Sequence, residues 1–319
     1  MNSRIRRFIR QLIRILTARV VSQVETNTIL SAKLHVERIR NAGVVSDLGE
    51  IEFRAFSQWG EDGIIQYLIH NVPVADRSFV EFGVENYTEA NTRFLLINDG
   101  WRGLVLDGSK DDIRHIQKDD IYWRHDLTAK CLFITRDNIN EVLIASGFVG
   151  DIGLLSIDID GNDYWVWQAI DAITPRIVVC EYNSVFGAKD AVTVPYNDQF
   201  DWSEAHYSRL YFGASLAALC DLAEAKGYEF IGCNSAGVNA FFIRKDLQHG
   251  LPVLSAAEGF VQSKLRQSRD ESGNLSFLSG DARIKEISEL PLHDIRANEP
   301  IQVKDIIQTQ RPGNVEKDL

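Results

Sequence analysis

Residues 79–109 decide the fold, and they read FVEFGVENYTEANTRFLLINDGWRGLVLDGS. Two short apolar runs in this region, Ser78–Val84 and Gly103–Asp107, predict buried strands. The Thr88–Asn98 segment between them has helical spacing, and Gly100 follows it where a left-handed residue commonly ends a helix. A strand, a helix and a second strand in this order predict a βαβ unit with parallel strands.

The same alternation extends on both sides of this unit. Five further strands are predicted at Ile121–His125, Gly153–Ile159, Arg176–Glu181, Tyr228–Cys233 and Val238–Arg244. Further helices are predicted at Ser57–His70, Lys110–Gln117, Thr135–Ser146, Asp163–Ala172 and Ala214–Lys226. A short turn joins the last two strands, so they must be antiparallel neighbours. The predicted fold class is α/β, a Rossmann-like sheet of seven mostly parallel strands with one antiparallel strand and helices on both faces.

The first 24 residues differ from the rest of the chain. They contain six arginines, and the first acidic residue is Glu25. Their apolar residues recur on one helical face, which predicts a basic amphipathic helix. Such a helix either lies on an anionic membrane surface, as a peripheral anchor, or packs against the domain or a second subunit of a homo-oligomer. The face consists of Ile5, Phe8, Ile9, Leu12, Ile13, Leu16 and Val20.

These patterns divide the chain into three parts. A basic helix and linker occupy residues 1–50, the α/β domain occupies 51–246, and a polar C-terminal extension occupies 247–319. No apolar run is long enough to span a bilayer, and arginines interrupt the apolar stretch near the N-terminus. We therefore expect a cytoplasmic protein, located at the inner face of the membrane if residues 1–24 bind lipid.

The composition narrows the classes of partner. The formal net charge is −11, whereas proteins that bind nucleic acids neutralise phosphates with clustered Lys and Arg. Nucleic acid is therefore excluded as a general partner. The four cysteines show no CxxC spacing, which predicts reduced thiols rather than a zinc site or a disulfide framework.

Acidic residues recur where the predicted strands end. In an open parallel sheet, ligands bind outside these carboxyl ends. A single carboxylate there is commonly a helix cap, but recurrence on five successive strands indicates a binding site. The residues in strand order are Glu81, Gly83 and Glu85; Asp107; Asp126; Asp158 and Asp160; and Glu181 and Asn183.

The acidic rim also indicates the kind of ligand. It repels a phosphate-rich dinucleotide, and the first strand lacks the GxGxxG run that holds a pyrophosphate, so NAD and ATP are disfavoured. A cationic nucleoside without phosphates fits better, because Asp107 can accept both ribose hydroxyls and Asp126 can accept from an adenine amino group. S-adenosylmethionine has these features.

Several segments together resemble the FkbM-type family of S-adenosylmethionine-dependent methyltransferases. The resemblance implies a class I methyltransferase fold and O-methylation, often of sugars in glycans or natural products. It covers roughly residues 56–246. The segments are SQWGEDGII (57–65), FVEFGVENYTEANTRFLL (79–96), GWRGLVLDGS (100–109), LLSIDIDGNDYWVWQAI (154–170), PRIVVCEYN (175–183), YFGASLAAL (211–219), GYEFIGC (227–233) and NAFFIRKD (239–246).

The resemblance assigns roles to individual residues. It places Glu81 and Gly83 on the cofactor loop, Asp107 on the ribose-binding acid and Asp158 on the fourth-strand acid. The chain departs from the family where Glu85, Asn86 and Tyr87 replace a later glycine. This bulkier loop predicts either a narrower cofactor pocket or a methyltransferase fold that survives as a non-catalytic binding or scaffold protein. The full set of expected cofactor contacts is Glu81, Gly83, Glu85, Asn86, Asn91, Thr92, Asp107, Gly108, Ser109, Asp126 and Asp158.

Catalysis of methyl transfer to oxygen requires removal of the hydroxyl proton. The candidate catalytic residues are Asp158, Asp160, Glu181 and His206. Asp158, Asp160 and Glu181, together with Asn183, also form an all-oxygen set able to hold Mg²⁺, whereas His206 is the candidate for a metal-free base. The simpler structural alternatives are that Asp163 caps the following helix, that Asp160 belongs to its turn, and that His206 is solvated.

The sequence hypothesis is an S-adenosylmethionine-dependent O-methyltransferase that acts on a sugar hydroxyl of a glycan or glycolipid. One rival is the non-catalytic scaffold described above. A nicotinamide-dependent sugar-modifying enzyme is the other rival. It requires a glycine-rich first loop and a Tyr-x-x-x-Lys pair, neither of which the sequence contains.

Overall fold

The computed structural model describes residues 3–310, with the side chains of residues 17 and 20–306. Helix α1 spans Ser3–Arg40, which confirms a long N-terminal helix. The apolar face predicted for residues 5–16 lies outside the described side chains. Further along, Ala32, Val36 and Ile39 are buried, so the second half of α1 packs onto the domain. Within the described residues, no helix is both long enough and apolar enough to cross a membrane.

The central sheet has seven strands in the order β3-β2-β1-β4-β5-β8-β7. Strands β1 to β5 are parallel, and β8 runs antiparallel to both β5 and β7. The predicted sheet with one reversed strand is therefore confirmed. The strands are β1 (Ser78–Phe82), β2 (Arg102–Asp107), β3 (Leu127–Cys131), β4 (Gly150–Ile157), β5 (Ile173–Glu181), β7 (Tyr228–Cys233) and β8 (Asn239–Arg244); β6 (Val192–Thr193) lies outside this sheet.

Helices cover both faces of the sheet, because the central strands are apolar on both sides. Phe79 of β1 points into one core cluster, and its neighbour Val80 points into the other. Helices α1 to α5 contribute to the first cluster, and α6, α7 and α9 contribute to the second. Their bounds are α2 (Glu61–Asn71), α3 (Arg93–Asp99), α4 (Lys110–Lys118), α5 (Asp120–Arg124), α6 (Ile139–Ala145), α7 (Asp163–Ala169), α8 (Trp202–Ala205) and α9 (Leu216–Ala225).

The third predicted strand is wrong. Residues 121–124 belong to α5, which ends just before His125, because the Asp119 side chain accepts a hydrogen bond from Ile121 N and starts a helical turn there. The strand itself is Leu127–Cys131, with Leu127 and Ala129 buried. Asp126 therefore stands before this strand, at the edge of the sheet opposite the predicted binding site.

A second, smaller structure lies over the carboxyl edge of the sheet. The insertion after β5 supplies β6, which pairs antiparallel with β9 of the C-terminal extension, and β9 pairs with β10. Residues of both segments share a third apolar cluster, which includes Phe186, Leu210, Leu292 and Val303. The insertion and the extension thus form one cover. Its remaining elements are β9 (Pro291–Asp294), β10 (Glu299–Gln302), α11 (Asp281–Glu286) and α12 (Val303–Gln310), whereas α10 (Ala256–Gly259) packs against the second core cluster.

Candidate functional site

A cavity of about 740 Å³ lies at the carboxyl ends of the central strands, where the sequence analysis places the ligand. Its floor is formed by the residues that follow β1, β2, β4 and β5. Its roof is formed by the insertion and the C-terminal extension, which contribute Arg209 and Arg283 among others. A cavity of this size can enclose a small organic ligand and part of a second one.

The loop after β1 depends on a glycine at position 83. Gly83 has φ +69°, which favours glycine, and a Cβ atom there would lie 1.6 Å from the Asp158 carbonyl oxygen. The Gly83 N–H donates to Leu106 O at 3.0 Å. The glycine therefore lets the β1 loop pack directly against the ends of β2 and β4, and it lines the cavity as predicted.

Glu81 organises the same loop from inside. Its carboxylate accepts hydrogen bonds from Asn91 N at 2.8 Å and Thr92 N at 3.1 Å, and from the Thr92 hydroxyl. Burial raises the pKa of Glu81 to about 7. Glu81 and Asn91 both line the cavity, and Asn91 donates through its amide to Ser156 Oγ at 3.1 Å. Thr92 is buried behind them, so it positions the loop rather than facing the ligand.

The three bulky residues that follow Val84 differ in where their side chains lie. Tyr87 is 1% exposed and lies in the core, where its hydroxyl is 2.9 Å from Thr92 Oγ1. The Asn86 side chain turns back to accept from Thr88 N at 3.0 Å and does not line the cavity. This position does not favour the predicted contact of Asn86 with a cofactor, which stays a prediction. Glu85 does reach the cavity.

Asp107, at the end of β2, connects two loops of the floor. It accepts from Glu85 N at 2.8 Å through one carboxylate oxygen and from Ser109 N at 2.7 Å through the other. Each oxygen keeps a further lone pair, so the carboxylate can still accept from a diol. Burial raises the pKa of Asp107. Gly108 and Ser109 line the cavity beside it, as predicted.

Asp126 does not take part in this site. It is exposed at the start of β3, so the predicted adenine contact is wrong. The cavity wall after β3 is instead formed by Leu132, Phe133 and Ile134. An apolar wall of this kind suits the face of a planar base.

Three carboxylates converge at the ends of β4 and β5. One oxygen from each of Asp158, Asp160 and Glu181 lies within 4.8 Å of the others. Burial, and then the charges of neighbouring carboxylates, raise the pKa of Asp158 and Glu181 well above their ordinary values and that of Asp160 to about 7. Asp158 and Glu181 lie close enough that protonation of one of them relieves their mutual repulsion. Three negative charges at this spacing are therefore not all present near neutral pH.

The side chains of two neighbouring polar residues, Asp163 and Asn183, form hydrogen bonds with backbone groups. Asp163 accepts from Ile159 N at 2.8 Å and Gly161 N at 2.9 Å, which confirms its structural role at the start of α7. Asn183 donates to Leu210 O at 2.9 Å, and its amide oxygen accepts from Val185 N at 3.0 Å. Asn183 also lines the cavity, and its side chain links the end of β5 to the insertion, so its predicted role as a metal ligand stays a prediction.

His206 is not at the site. Its Nδ1 lies 2.7 Å from Ser208 Oγ and its ring centroid lies 4.2 Å from that of Tyr207, but the residue does not line the cavity. Its position does not favour the predicted role as general base, which stays a prediction. Several other residues of the same connection do line the cavity, among them Asp201, Trp202 and Arg209.

Backbone strain is concentrated around the cavity. Six described non-glycine residues have positive φ, and three of them, Glu85, Asp160 and Arg209, line it. Such conformations cost on the order of 1 kcal/mol or more each and persist where the surrounding structure imposes them, commonly at functional sites.

The sheet order, with β8 reversed between β5 and β7, is that of the class I methyltransferase fold. The chain is similar to the N-terminal domain of EvdMO1 with SAH bound, at 10% identity over 66% of this chain and 94% of that chain, with a TM-score of 0.37. It is similar to an S-adenosylmethionine-dependent methyltransferase from Clostridium acetobutylicum, at 10% identity over 58% of this chain and 90% of that chain, with a TM-score of 0.37.

An O-methyltransferase from Bacillus cereus in complex with SAH is also similar, at 8% identity over 68% of this chain and 89% of that chain, with a TM-score of 0.35. Comparison with protein-family models and with curated proteins gives no match. These similarities concern the fold alone, and they assign neither a ligand nor an activity to this chain. The FkbM resemblance stays a prediction.

Proposed function

We propose that this chain is an S-adenosylmethionine-dependent O-methyltransferase that acts on a sugar hydroxyl of a glycan or glycolipid. The observation that carries the proposal is the acidic floor of the cavity, built around Asp107 and the β1 loop. Carboxylates from four strand ends favour a cation and disfavour a ligand rich in phosphate. A sulfonium nucleoside with a free ribose diol has this chemistry.

Individual residues have separate tasks in binding this cofactor. Asp107 accepts from the ribose hydroxyls, and Phe133 and its apolar neighbours bound the base. Glu81 does not need to touch the cofactor, because its two backbone hydrogen bonds fix the loop that does. Such prior positioning reduces the entropy lost on binding.

The carboxylate group at β4 and β5 supplies the acid–base chemistry. When bound, S-adenosylmethionine supplies the methyl group: a bond forms from the acceptor oxygen to the methyl carbon, and the carbon–sulfur bond breaks with its electron pair going to sulfur. The hydroxyl proton then goes to a carboxylate. Asp160 suits this role, because it lines the cavity and a pKa of about 7 lets it accept a proton near neutral pH.

The same three carboxylates also fit a divalent cation such as Mg²⁺, because hard cations prefer oxygen ligands. Bound to Asp158, Asp160 and Glu181, the cation would lower the pKa of an acceptor hydroxyl. We propose the metal-free carboxylate as the base, because the raised pKa values of Asp158 and Glu181 favour a group that lowers its repulsion by protonation rather than by a cation.

The test is calorimetric titration of the protein with S-adenosylmethionine and its demethylated product. Asp107→Asn should weaken both affinities about tenfold or more, because charge-assisted hydrogen bonds contribute about 1.5–3 kcal/mol. Asp126→Asn is the matched control, since Asp126 is exposed at the opposite edge, and it should leave both affinities unchanged. If the wild type binds neither ligand, the methyltransferase proposal fails, and the non-catalytic binding or scaffold protein is the favoured alternative.

A further inference from the structure

Two arginines line the cavity together with the acidic residues, and both belong to the roof. Arg283 lies on α11 of the C-terminal extension, and Arg209 lies in the insertion after β5. The carboxylates are concentrated on the floor, where they include Asp107, Asp160 and Glu181, and one more, Asp201, comes from the insertion and interacts electrostatically with Arg209. The cavity therefore has an acidic floor and a roof that carries both of its arginines, and S-adenosylmethionine accounts for the floor only.

Arg283 is the more unusual of the two. It is 8% exposed, and its Nε is buried without a hydrogen-bond partner. Its Nη1 donates to the Ser263 carbonyl oxygen at 2.8 Å. No carboxylate of the described part of the chain lies within ion-pair distance of it. A buried guanidinium without an anion is costly, since arginine keeps its charge, and burial accordingly lowers the pKa of Arg283.

Arg209 is held toward the cavity by a strained backbone. Its φ is +57°, which is unfavourable for a residue with a side chain. Its guanidinium carbon lies 5.0 Å from the ring centroid of Trp202, and Trp202 also lines the cavity. No ion pair to Arg209 forms among the residues with described side chains. Stacking on an aromatic ring orients a guanidinium while leaving its N–H groups free for a ligand.

The position of Arg283 indicates which ligand it serves. Its partner Ser263 is also linked to the end of β5, because Ser263 N donates to Ser184 Oγ at 3.1 Å. Asp107 and the proposed cofactor loop belong to β2 and β1, on the other side of β4 in the sheet. Arg283 therefore lies over the half of the cavity that remains for the acceptor.

We propose that the roof arginines bind an anionic group, a carboxylate or a phosphate, on the acceptor sugar. The description of this ligand as an acceptor rests on the proposed function, whereas the anion site itself does not. Guanidinium groups bind both kinds of anion through paired N–H donors, and an unpartnered Nε supplies one of them. A neutral sugar would leave Arg283 uncompensated, so the roof should discriminate against it.

The experiment is calorimetric titration of the full-length protein, both free and saturated with S-adenosylhomocysteine. The probes are D-glucuronate, D-glucose 6-phosphate, inorganic phosphate and neutral D-glucose, at constant ionic strength. We expect at least one anionic sugar to bind about tenfold or more tightly than glucose. Comparison of the first two probes distinguishes a carboxylate from a phosphate.

The variants are Arg283→Met and Arg209→Met, with circular dichroism to verify folding. Each should remove the preference for the anionic sugar while leaving S-adenosylhomocysteine affinity within about twofold. Arg266→Met is the matched control, because Arg266 is an exposed arginine of the same extension that does not line the cavity. Arg209→Met keeps the test decisive if Arg283→Met does not fold.

Two outcomes would overturn the proposal. In the first, glucose binds as well as the charged probes, or no anion binds. In the second, Arg283→Met weakens S-adenosylhomocysteine instead, so that the arginine serves the cofactor carboxylate. If anions bind and S-adenosylhomocysteine does not, the methyltransferase function fails while the anion site stands.

Discussion

Replacing Asp160 with asparagine should stabilise the protein at pH 8, although it removes a residue of the proposed catalytic group. Burial, and then the charges of Asp163 and Glu85, raise the pKa of Asp160 to about 7. At pH 8 the folded chain therefore holds an ionised carboxylate in a place that favours the neutral form. The unfolded chain, in which this pKa is near 3.8, has no such cost.

The difference between the two pKa values sets the size of the effect. Each pKa unit corresponds to about 1.36 kcal/mol, so a rise from 3.8 to about 7 gives an upper limit of about 4 kcal/mol. Asp160 is partly exposed and shares its repulsion with neighbouring carboxylates, so we expect on the order of 2 kcal/mol. The wild type recovers this stability as the pH falls from about 7 toward 4, because Asp160 then becomes protonated.

Urea unfolding of chelator-treated protein measures this effect at pH 8 and again near pH 4.5. Asp160→Asn should exceed the wild type in free energy of unfolding at pH 8, and most of the difference should vanish at the lower pH. Asp126→Asn, at an exposed position, should match the wild type at both. If Asp160→Asn is less stable than the wild type at pH 8, Asp160 has a stabilising partner and the repulsive description of the group is wrong.

Three other predictions concern the loop and the chemistry. Gly83→Ala should destabilise the fold by about 2 kcal/mol or more in a thermal melt, because the new Cβ would meet the Asp158 carbonyl. Gly100 has a similar φ but open space around its Cβ, so Gly100→Ala should cost only about 1 kcal/mol. Equal losses would contradict the role of the Asp158 contact. The kcat for methyl transfer should rise with pH through about 7 and then level off, because Asp160 accepts a proton only when it is ionised. Asp160→Asn should lower kcat about 100-fold or more. A flat wild-type profile would exclude Asp160 as the base. Chelation with EDTA should leave kcat within about twofold, and a loss that Mg²⁺ restores would assign the carboxylates to a cation instead.

The sheet was predictable because its signals are local. Apolar runs such as those around Val80 and Leu104 are buried on both faces, and the glycines at 100, 147 and 227 all have positive φ where helices were expected to end. The exception around residue 121 arose because an apolar triplet was interpreted as a strand, although Asp119 before it is a helix cap. That cap was visible in the sequence.

The floor of the site was predictable for the same reason, and the roof was not. Asp107, Asp158 and Glu181 follow strands, so their meeting at one edge follows from topology. Arg209 and Arg283 are brought to the cavity by the pairing of β6 with β9 and by the third apolar cluster, which join segments far apart in the chain. The sequence indicates His206 as a candidate base and gives no sign of Arg209, because nothing local shows which residues of that connection turn inward.

The pairing of β6 with β9 also sets an order of events during synthesis. The strands that make the floor are all present once residue 244 has been made, whereas β9 and β10 follow about fifty residues later along the chain. Parallel sheets whose strands are already available can form before the remaining polypeptide arrives. The nascent chain can thus acquire the acidic floor first, and the enclosed cavity arises only when the C-terminal strands fold back over it.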